Sequence, residues 1–190
     1  MRKLALALLV CAGPSFGAGL ASRPADDTAQ PDSSKLEGLY AALGGGGALV
    51  IVSDSNAFGY DAELRLGYSF NPGLQIFLSA AIDGATINAP GVDPTFRSEL
   101  IAAFVQYHLF HSGNVGVYGR AGIGVGLSGS LGPSNAVGLA EAGGLGVEIR
   151  LAPGLFLAPE LFYKTANLSI SGAGSKTEQV VGLQLALIYY

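Results

Sequence analysis

The chain has 190 residues, and charged residues make up only 13% of them, against roughly 25% in an ordinary soluble domain. Its net charge is −4, with no cluster of lysine and arginine beyond the N-terminal segment, which argues against a nucleic-acid-binding surface. Cys11 is the only cysteine, so a disulfide framework is excluded as well.

The N-terminus has the features of a secretory signal peptide. Arg2 and Lys3 supply positive charge, and an apolar run at 4–12 follows that is too short to span a bilayer. We therefore predict a signal peptide over residues 1–21. The next stretch has two prolines and almost no large apolar side chains, which predicts a disordered polar linker over 22–36. The remaining residues, 37–190, fit one domain.

Eight segments of this domain are long enough to cross a bilayer as tilted strands of about ten residues. They are predicted at 37–48, 58–70, 74–85, 97–110, 115–127, 138–151, 155–166 and 178–190. The turns between them that are tight and rich in Gly, Pro and Asn lie at 71–73, 111–114 and 152–154. The longer connections are predicted near 51–56, 86–95, 128–137 and 167–178. Short turns on one side and long loops on the other are typical of outer-membrane barrels.

Side chains in the second predicted strand alternate strictly. In FGYDAELRLGYSF, residues 58–70, aromatic or aliphatic side chains alternate with Gly, Asp, Glu, Arg and Ser. One face of the strand is therefore apolar, and it points inwards in a soluble β-protein but outwards in a membrane barrel. Other strands place glycines on the polar face. A soluble protein with those glycines inside would have almost no core, so the pattern favours the membrane barrel over a soluble barrel of lipocalin type.

The polar faces carry isolated charges of both signs. The acids and bases expected in the lumen are Asp61, Glu63, Glu99, Glu148 and Glu160, with Arg65, Arg97, Arg120, Arg150 and Lys164. Such a near-neutral set can pair off inside a narrow lumen. Because eight strands leave an interior just wide enough for side chains to fill, we predict a charge-paired plug rather than an ion path.

Two strands do not fit the alternation. In the fourth, Gln106 and His108 have the opposite phase from Arg97. In the sixth, Glu141 falls on the lipid side. A β-bulge in each strand is expected to restore the phase, in the sixth at the glycine pair 143–144. The aromatic residues expected to form girdles at the membrane interfaces are Tyr60, Tyr68, Phe70, Phe96, Phe110, Tyr163 and Tyr189.

The signal, the three tight turns, the YDAELRLGYSF strand and the closing VVGLQLALIYY resemble the small eight-stranded outer-membrane barrels, the group that contains outer membrane proteins A and X. The resemblance covers about residues 37–190. It implies an all-β, eight-stranded antiparallel up-and-down transmembrane barrel in the outer membrane of a Gram-negative bacterium. Members commonly end on an aromatic residue that the barrel-assembly machinery reads, and the resemblance gives this role to Tyr190. The apolar alternation runs through Tyr189 instead, which leaves the register of the last strand open.

Few residues suggest chemistry. His111 and Ser112 combine a base with a nucleophile, as in outer-membrane lipases and acyltransferases, but adjacent turn residues seldom point at each other. The glycine-rich runs 44–47 and 121–129 lack the Lys, Ser or Thr and the helix of a phosphate-binding loop. Two histidines offer too few ligands for a metal site. We therefore expect no enzyme activity, catalytic residue, cofactor or metal.

These patterns predict a non-enzymatic integral outer-membrane protein that is structural or interacts at the surface through its longer loops, which carry Asp54, Asp93 and Lys176. The alternative is a narrow porin-like channel for ions or small solutes, and a third possibility is an enzyme that modifies lipid A. The expected partners are outer-membrane lipid, lipopolysaccharide and the barrel-assembly machinery. No nucleic acid is expected, and we expect a monomer.

Overall fold

The computed structural model describes residues 37–52, 55–71, 73–86, 95–129, 136–170 and 174–190. The strands are Gly38–Val52 (β1), Ser55–Asn71 (β2), Leu74–Thr86 (β3), Thr95–Ser112 (β4), Val115–Ser128 (β5), Ala136–Ala152 (β6), Leu155–Ile170 (β7) and Gly174–Tyr189 (β8). Each pairs antiparallel with the next, and β8 pairs with β1 to close a barrel. The predicted eight-stranded antiparallel barrel is confirmed. The predicted signal peptide and linker, and loop residues Asp54 and Asp93, lie outside the described residues.

The strands are staggered around the barrel. Paired residues lead from Ala41 on β1 through each neighbouring strand and back to β1 at Ile51, ten residues further along. A stagger of this kind tilts the strands against the barrel axis, and with eight strands it leaves an interior that side chains fill. Two of the short turns contain Gly113 (φ 56°) and Gly154 (φ 75°), in the left-handed conformation that glycine adopts without strain.

The strands extend beyond their predicted ends on the side opposite the short turns, here called the loop end. They are 13 to 18 residues long, more than the 9–11 or so that cross a bilayer. The connections at 53–54 and 171–173 are therefore much shorter than predicted. Those at 87–94 and 129–135 are the longer ones. No helix in the described part of the chain is long and apolar enough to cross a membrane.

The outer surface of the barrel is apolar. Every strand exposes large aliphatic side chains, with exposed fractions of 47% to 67% for Leu43, Leu64, Leu78, Ile101, Ile123, Leu145, Leu161 and Leu183. Water does not favour an apolar surface of this extent, whereas lipid covers it. On β2, Leu64 points outwards and Arg65 is fully buried, which confirms the predicted orientation of that strand.

Exposed aromatic side chains lie towards both ends of the barrel. Those near the short turns are Tyr68, Phe70, Tyr107, Phe110 and Tyr189, and those nearer the loop end are Phe58, Tyr60 and Tyr163. Aromatic rings at these two levels suit the two membrane–water interfaces. The apolar belt between them is the part of the barrel that lipid covers.

Strand β4 keeps a single phase from its start to His108, which corrects the prediction for its first residues. Phe96 is fully buried and so belongs to no outer girdle. Arg97 and Glu99 point outwards and are not lumen residues. The register shifts only between His108 and Phe110, beside the short turn. The bulge expected earlier in the strand is absent, because every second residue from Phe96 to His108 points into the lumen without interruption.

Strand β6 keeps its alternation through the glycine pair 143–144, so the prediction of a bulge there is wrong. Glu141 therefore stays on the outer surface, in register with Ile123 of β5 and Thr165 of β7. The register shifts that do occur lie beside the three short turns, between Ser69 and Asn71, His108 and Phe110, and Arg150 and Ala152.

Candidate functional site

Four charged side chains fill the middle of the lumen. Strand β2 contributes Glu63 and Arg65, β5 contributes Arg120 and β7 contributes Glu160. Each is 6% exposed or less. Glu63 and Arg65 are two residues apart, so the period of the strand places both on its inward face. Two acids and two bases leave these four side chains, the central cluster, without net charge.

Each base of the central cluster binds both acids. Arg120 donates from Nη1 and Nη2 to the two oxygens of Glu63, at 2.7 and 2.8 Å, and from Nε to Glu160 at 2.7 Å. Arg65 donates from Nη2 to Glu63 at 2.8 Å and to Glu160 at 3.1 Å. The paired bonds from Arg120 to Glu63 have the geometry that makes such ion pairs strong. The cluster thus connects β2, β5 and β7 across the lumen.

Neutral side chains complete the binding of the two carboxylates. The Tyr118 hydroxyl donates to Glu160 at 2.6 Å, and the Ser79 hydroxyl donates to Glu63 at 2.5 Å. Gln184 Nε2 donates to Glu63 at 3.0 Å and to Glu160 at 2.8 Å. A buried charge is tolerated only when it is paired and hydrogen-bonded. These donors from β3, β5 and β8 help to meet that condition.

A second charged group lies nearer the loop end. Lys164 Nζ donates to Asp61 and to both oxygens of Asp83, the latter at 3.1 and 3.2 Å. Beyond it, the Ser98 hydroxyl donates to Glu178 at 2.5 Å. A cavity of about 20 Å³ lies among these side chains, with room for about one water molecule. The lumen here holds three carboxylates and one ammonium group.

A third polar group occupies the short-turn end of the lumen. Glu148 on β6 accepts hydrogen bonds from Gln106 at 3.2 Å and from the Tyr190 hydroxyl at 2.8 Å, and His108 Nε2 lies 2.9 Å from it. Gln75 Nε2 donates to the Tyr190 hydroxyl at 2.6 Å. The Tyr190 side chain therefore lies inside the lumen, while Tyr189 points outwards. Its predicted role as an assembly signal stays a prediction.

Three buried cations of the lumen each lie over a phenylalanine ring. The pairs, with the distance from the cationic atom to the ring centre, are Arg120 with Phe104 (4.7 Å), Lys164 with Phe162 (4.8 Å) and Arg65 with Phe77 (5.9 Å). The face of an aromatic ring attracts a cation, and the attraction is larger where water is excluded. This contact explains why phenylalanines stand on the inward, polar faces of β3, β4 and β7.

The structure brings together most of the residues predicted for the lumen network. Those buried inside the barrel are Asp61, Glu63, Arg65, Arg120, Glu148, Glu160 and Lys164. Arg97 and Glu99 instead pair with each other on the outer surface, 3.0 Å apart, with side chains 57% and 45% exposed. Arg150 lies on the inward face near the short-turn end and is half-buried. Within the described residues it joins no ion pair of the network.

Other lumen residues were not in the predicted network, namely Asp83, Gln106, His108, Glu178 and Tyr190. An unbroken period of two along β4 is the signal that would have found Gln106 and His108. Glu178 stood at the predicted boundary between the loop 167–178 and the strand 178–190, whereas β8 begins at Gly174 and places it well inside the barrel. For Tyr190 the signal is the apolar alternation through Leu187 and Tyr189, which places the next residue on the inward face.

The polar groups described in the lumen are ion pairs and hydrogen-bonded carboxylates. No group of three or more His, Cys, Asp or Glu side chains among them is arranged to hold a metal ion. His111 and Ser112 lie exposed at the short-turn end of β4. The histidine that meets a carboxylate is His108, inside the lumen.

No family model matches the sequence, and no curated protein matches it. Solved structures do match the fold. Neisserial surface protein A matches with a TM-score of 0.62 and 16% identity, over 78% of this chain and 96% of that one. Outer membrane protein AlkL, determined in lipid bilayers, matches with 0.51 and 12%, over 92% and 97%. Outer membrane protein OprG from Pseudomonas aeruginosa matches with 0.50 and 13%, over 80% and 96%.

These likenesses, at 16% identity or below, concern the fold. The chain has the fold of the small eight-stranded outer-membrane barrels, which confirms the predicted architecture. Its apolar outer belt is the surface that this fold presents to lipid. Fold and surface together agree with the predicted location in the outer membrane.

Proposed function

We propose that the protein is a non-enzymatic outer-membrane barrel whose lumen is closed, and that it acts structurally or through its loop end at the cell surface. The central cluster carries this proposal. Its four charged side chains reach from β2 to β5 and β7 and contact one another inside the barrel. The strand extensions and the connections at 87–94 and 129–135 are the parts available to a surface partner.

Electrostatics supports a closed lumen. An ion can pass the middle of the barrel only if side chains of the central cluster move apart, and each base binds both acids. Loss of one partner from a buried ion pair costs roughly 3–5 kcal/mol. A cost of this order keeps an open conformation below about 1% of molecules. The plug is therefore the ground state of the lumen.

Conductance in planar bilayers tests the closed lumen. We expect no reproducible open steps from the unaltered protein. Glu63→Ala combined with Arg120→Ala removes one acid and one base, keeps the central cluster neutral and is expected to give small open steps. The matched control is Arg97→Ala with Glu99→Ala, which removes an ion pair from the outer surface and is expected to leave the lumen closed.

The opposite result supports the second candidate, a narrow channel. Reproducible steps from the unaltered protein that disappear when Arg65 or Arg120 is changed would contradict the plug. Heat-modifiable gel migration of each variant shows that it is folded before its conductance is interpreted.

The surface role and the enzyme alternative have separate tests. An epitope inserted at 87–94 or 129–135 is expected to be labelled on intact cells, whereas one inserted at 152–154 is expected to be labelled only after the outer membrane is opened. Deletion of the gene is expected to leave the lipid A profile unchanged. A changed profile that the unaltered gene restores would favour the enzyme.

A further inference from the structure

Glu141 is an acidic side chain on the lipid-facing surface of β6. It is exposed, and Leu139 and Val137, 57% and 46% exposed, continue the outer face of β6 towards the loop end. The carboxylate, in register with Thr165, therefore lies at the loop-end edge of the apolar belt, with apolar side chains on both sides of it along β6. In the part of the chain that the structure describes, the Glu141 side chain has neither an ion pair nor a hydrogen bond. An ionisable side chain in such a position is costly and points to a partner.

An open groove of about 750 Å³ lies beside this carboxylate on the outside of the barrel. The small residues Ala103, Ala121 and Gly143 from β4, β5 and β6 form its floor, and larger side chains border it, namely Ile76, Val105, Ile123 and Tyr163. Small residues allow another backbone to approach closely inside a membrane. The groove is thus shaped for a protein surface that also offers a partner to Glu141.

Arg97 is the complementary group. It is the one base on the outward faces of the strands that the structure describes, and it lies near the loop end of β4. Its guanidinium already binds Glu99 at 3.0 Å, and a guanidinium has enough donors to bind a second carboxylate. Within one chain, β5 separates Arg97 from Glu141, so the two side chains meet only if they come from different molecules.

We propose that the groove is the interface of a homodimer in which Arg97 of each copy binds Glu141 of the other. A two-fold axis along the membrane normal, placed beside β5, sets β4 of one copy against β6 of the other. The interface is then self-complementary and forms the ion pair twice. This proposal departs from the monomer expected from the sequence.

The heights of the two side chains permit this contact. Glu141 is in register with Ile123, which is in register with Ala103. Because the strands are staggered, each step from β4 to β5 to β6 along these paired residues moves a little more than one residue towards the loop end. Glu141 therefore lies at the height of residues 100–101 of β4. Arg97 lies three to four residues nearer the loop end. At about 3.3 Å per residue along a tilted strand, the gap is roughly 10 Å, which two long side chains facing each other can bridge.

Charge favours a second copy over a bound lipid. The phosphate groups of lipids are anionic, so the Glu141 carboxylate repels them. The second copy supplies the Arg97 guanidinium instead, which also neutralises Glu99, and the small residues Ala103, Ala121 and Gly143 let the two barrels approach at the groove. A lipid in the groove is therefore an outcome that counts against the dimer.

Thiol cross-linking in lipid vesicles tests the dimer. Ala121→Cys, in a Cys11→Ser background, places a thiol on β5 beside the expected axis. Ala62→Cys places one on the outer face of β2, on the far side of the barrel, and is the matched control. With a short bismaleimide we expect a dimer from Ala121→Cys and none from Ala62→Cys. Equal cross-linking of the two variants, or a groove lipid retained by the uncross-linked protein and lost in Glu141→Gln, would overturn the proposal.

Charge reversal tests the ion pair itself. Glu141→Arg and Arg97→Glu are each expected to lower the cross-linked yield about tenfold, the effect of losing a close intermolecular charge pair. The two changes together restore opposite charges and are expected to recover the dimer. A double variant that dimerises no better than either single variant would contradict the pairing. Heat-modifiable migration of each monomer shows that the barrel itself is intact.

Discussion

Replacement of Glu160 by glutamine is expected to destabilise the barrel strongly. Glu160 is 2% exposed and accepts hydrogen bonds from Arg65, Arg120, Tyr118 and Gln184. Glutamine keeps the size of the side chain but removes its charge. It also replaces one acceptor oxygen with an NH₂ group that faces other donors. The variant therefore changes the electrostatics of the central cluster while leaving the packing almost unchanged.

The magnitude follows from the charge balance. The central cluster changes from two acids and two bases to one acid and two bases, which leaves an uncompensated positive charge inside the barrel. Removal of one partner of a buried ion pair costs roughly 3–5 kcal/mol. Glu148→Gln is the matched control, because Glu148 is just as buried but its partners are Gln106, Tyr190 and the His108 imidazole rather than a guanidinium. Its cost is expected to be that of weakened hydrogen bonds, about 1–3 kcal/mol.

Unfolding by urea or guanidinium in lipid vesicles measures both costs, followed by heat-modifiable gel migration or by tyrosine fluorescence, since the chain has no tryptophan. A second comparison adds Arg120→Met to Glu160→Gln, which restores neutrality to the cluster. The double variant is expected to be more stable than the sum of the single changes predicts, by about 1–3 kcal/mol. Equal costs for Glu160→Gln and Glu148→Gln, or additive single changes, would refute the electrostatic reasoning.

Two further pairs of neighbouring residues give matched comparisons. Gly46→Ala is expected to cost about 1–3 kcal/mol, because a Cβ there would lie 2.6 Å from the backbone of Gln184 on β8, whereas Gly47→Ala meets open space and is expected to be neutral in the same unfolding assay. Tyr190→Phe loses two lumen hydrogen bonds and is expected to cost about 1–3 kcal/mol, while Tyr189→Phe, on the 57% exposed outer face, is expected to leave stability unchanged. A neutral Gly46→Ala, or equal effects of the two tyrosine changes, would contradict the assigned faces.

The architecture was predictable because the same two signals, alternating faces and tight turns, occur several times along the chain. Strict alternation in β2, with Leu64 outside and Arg65 inside, recurs in other strands, and tight turns rich in Gly, Pro and Asn separate successive hairpins. An error in one strand does not change the number of strands or the choice between lipid and water. Strand count, pairing order and the outward apolar face could therefore be inferred from sequence alone.

The misplaced residues show where alternation loses its meaning. A charged residue marks the lumen face only at heights where lipid surrounds the barrel. Arg97 and Glu99 lie near the loop end of β4, where an outward polar side chain carries little cost. Their residue types therefore gave the wrong phase. Because Arg97 was assigned to the lumen, its neighbour Phe96 was assigned to the outer surface, although the lumen there accepts an aromatic ring.

The partners of each charge could not be predicted. Arg120 meets Glu63, 57 residues away, and Glu160, 40 residues away. Which inward residues share a height depends on the stagger of all eight strands, and a change of two residues in one register would select different partners. The sequence shows that acidic and basic side chains both face the lumen. Which of them pair depends on the register of all strands in the closed barrel.

The contact between β1 and β8 also bears on the order in which the barrel forms. Every other strand pairing joins strands that are consecutive in the chain. The pairing of β1 with β8, here called the seam, instead brings Ala41 against Tyr189. The entropic cost of closing a loop rises with its length, so the hairpins are expected to form early and the seam last. Until then β1 and β8 are open sheet edges, which can pair with other chains. The hydrogen bonds of Tyr190 to Gln75 and Glu148 then form only after closure, and they slow the reopening of the seam rather than speed its formation.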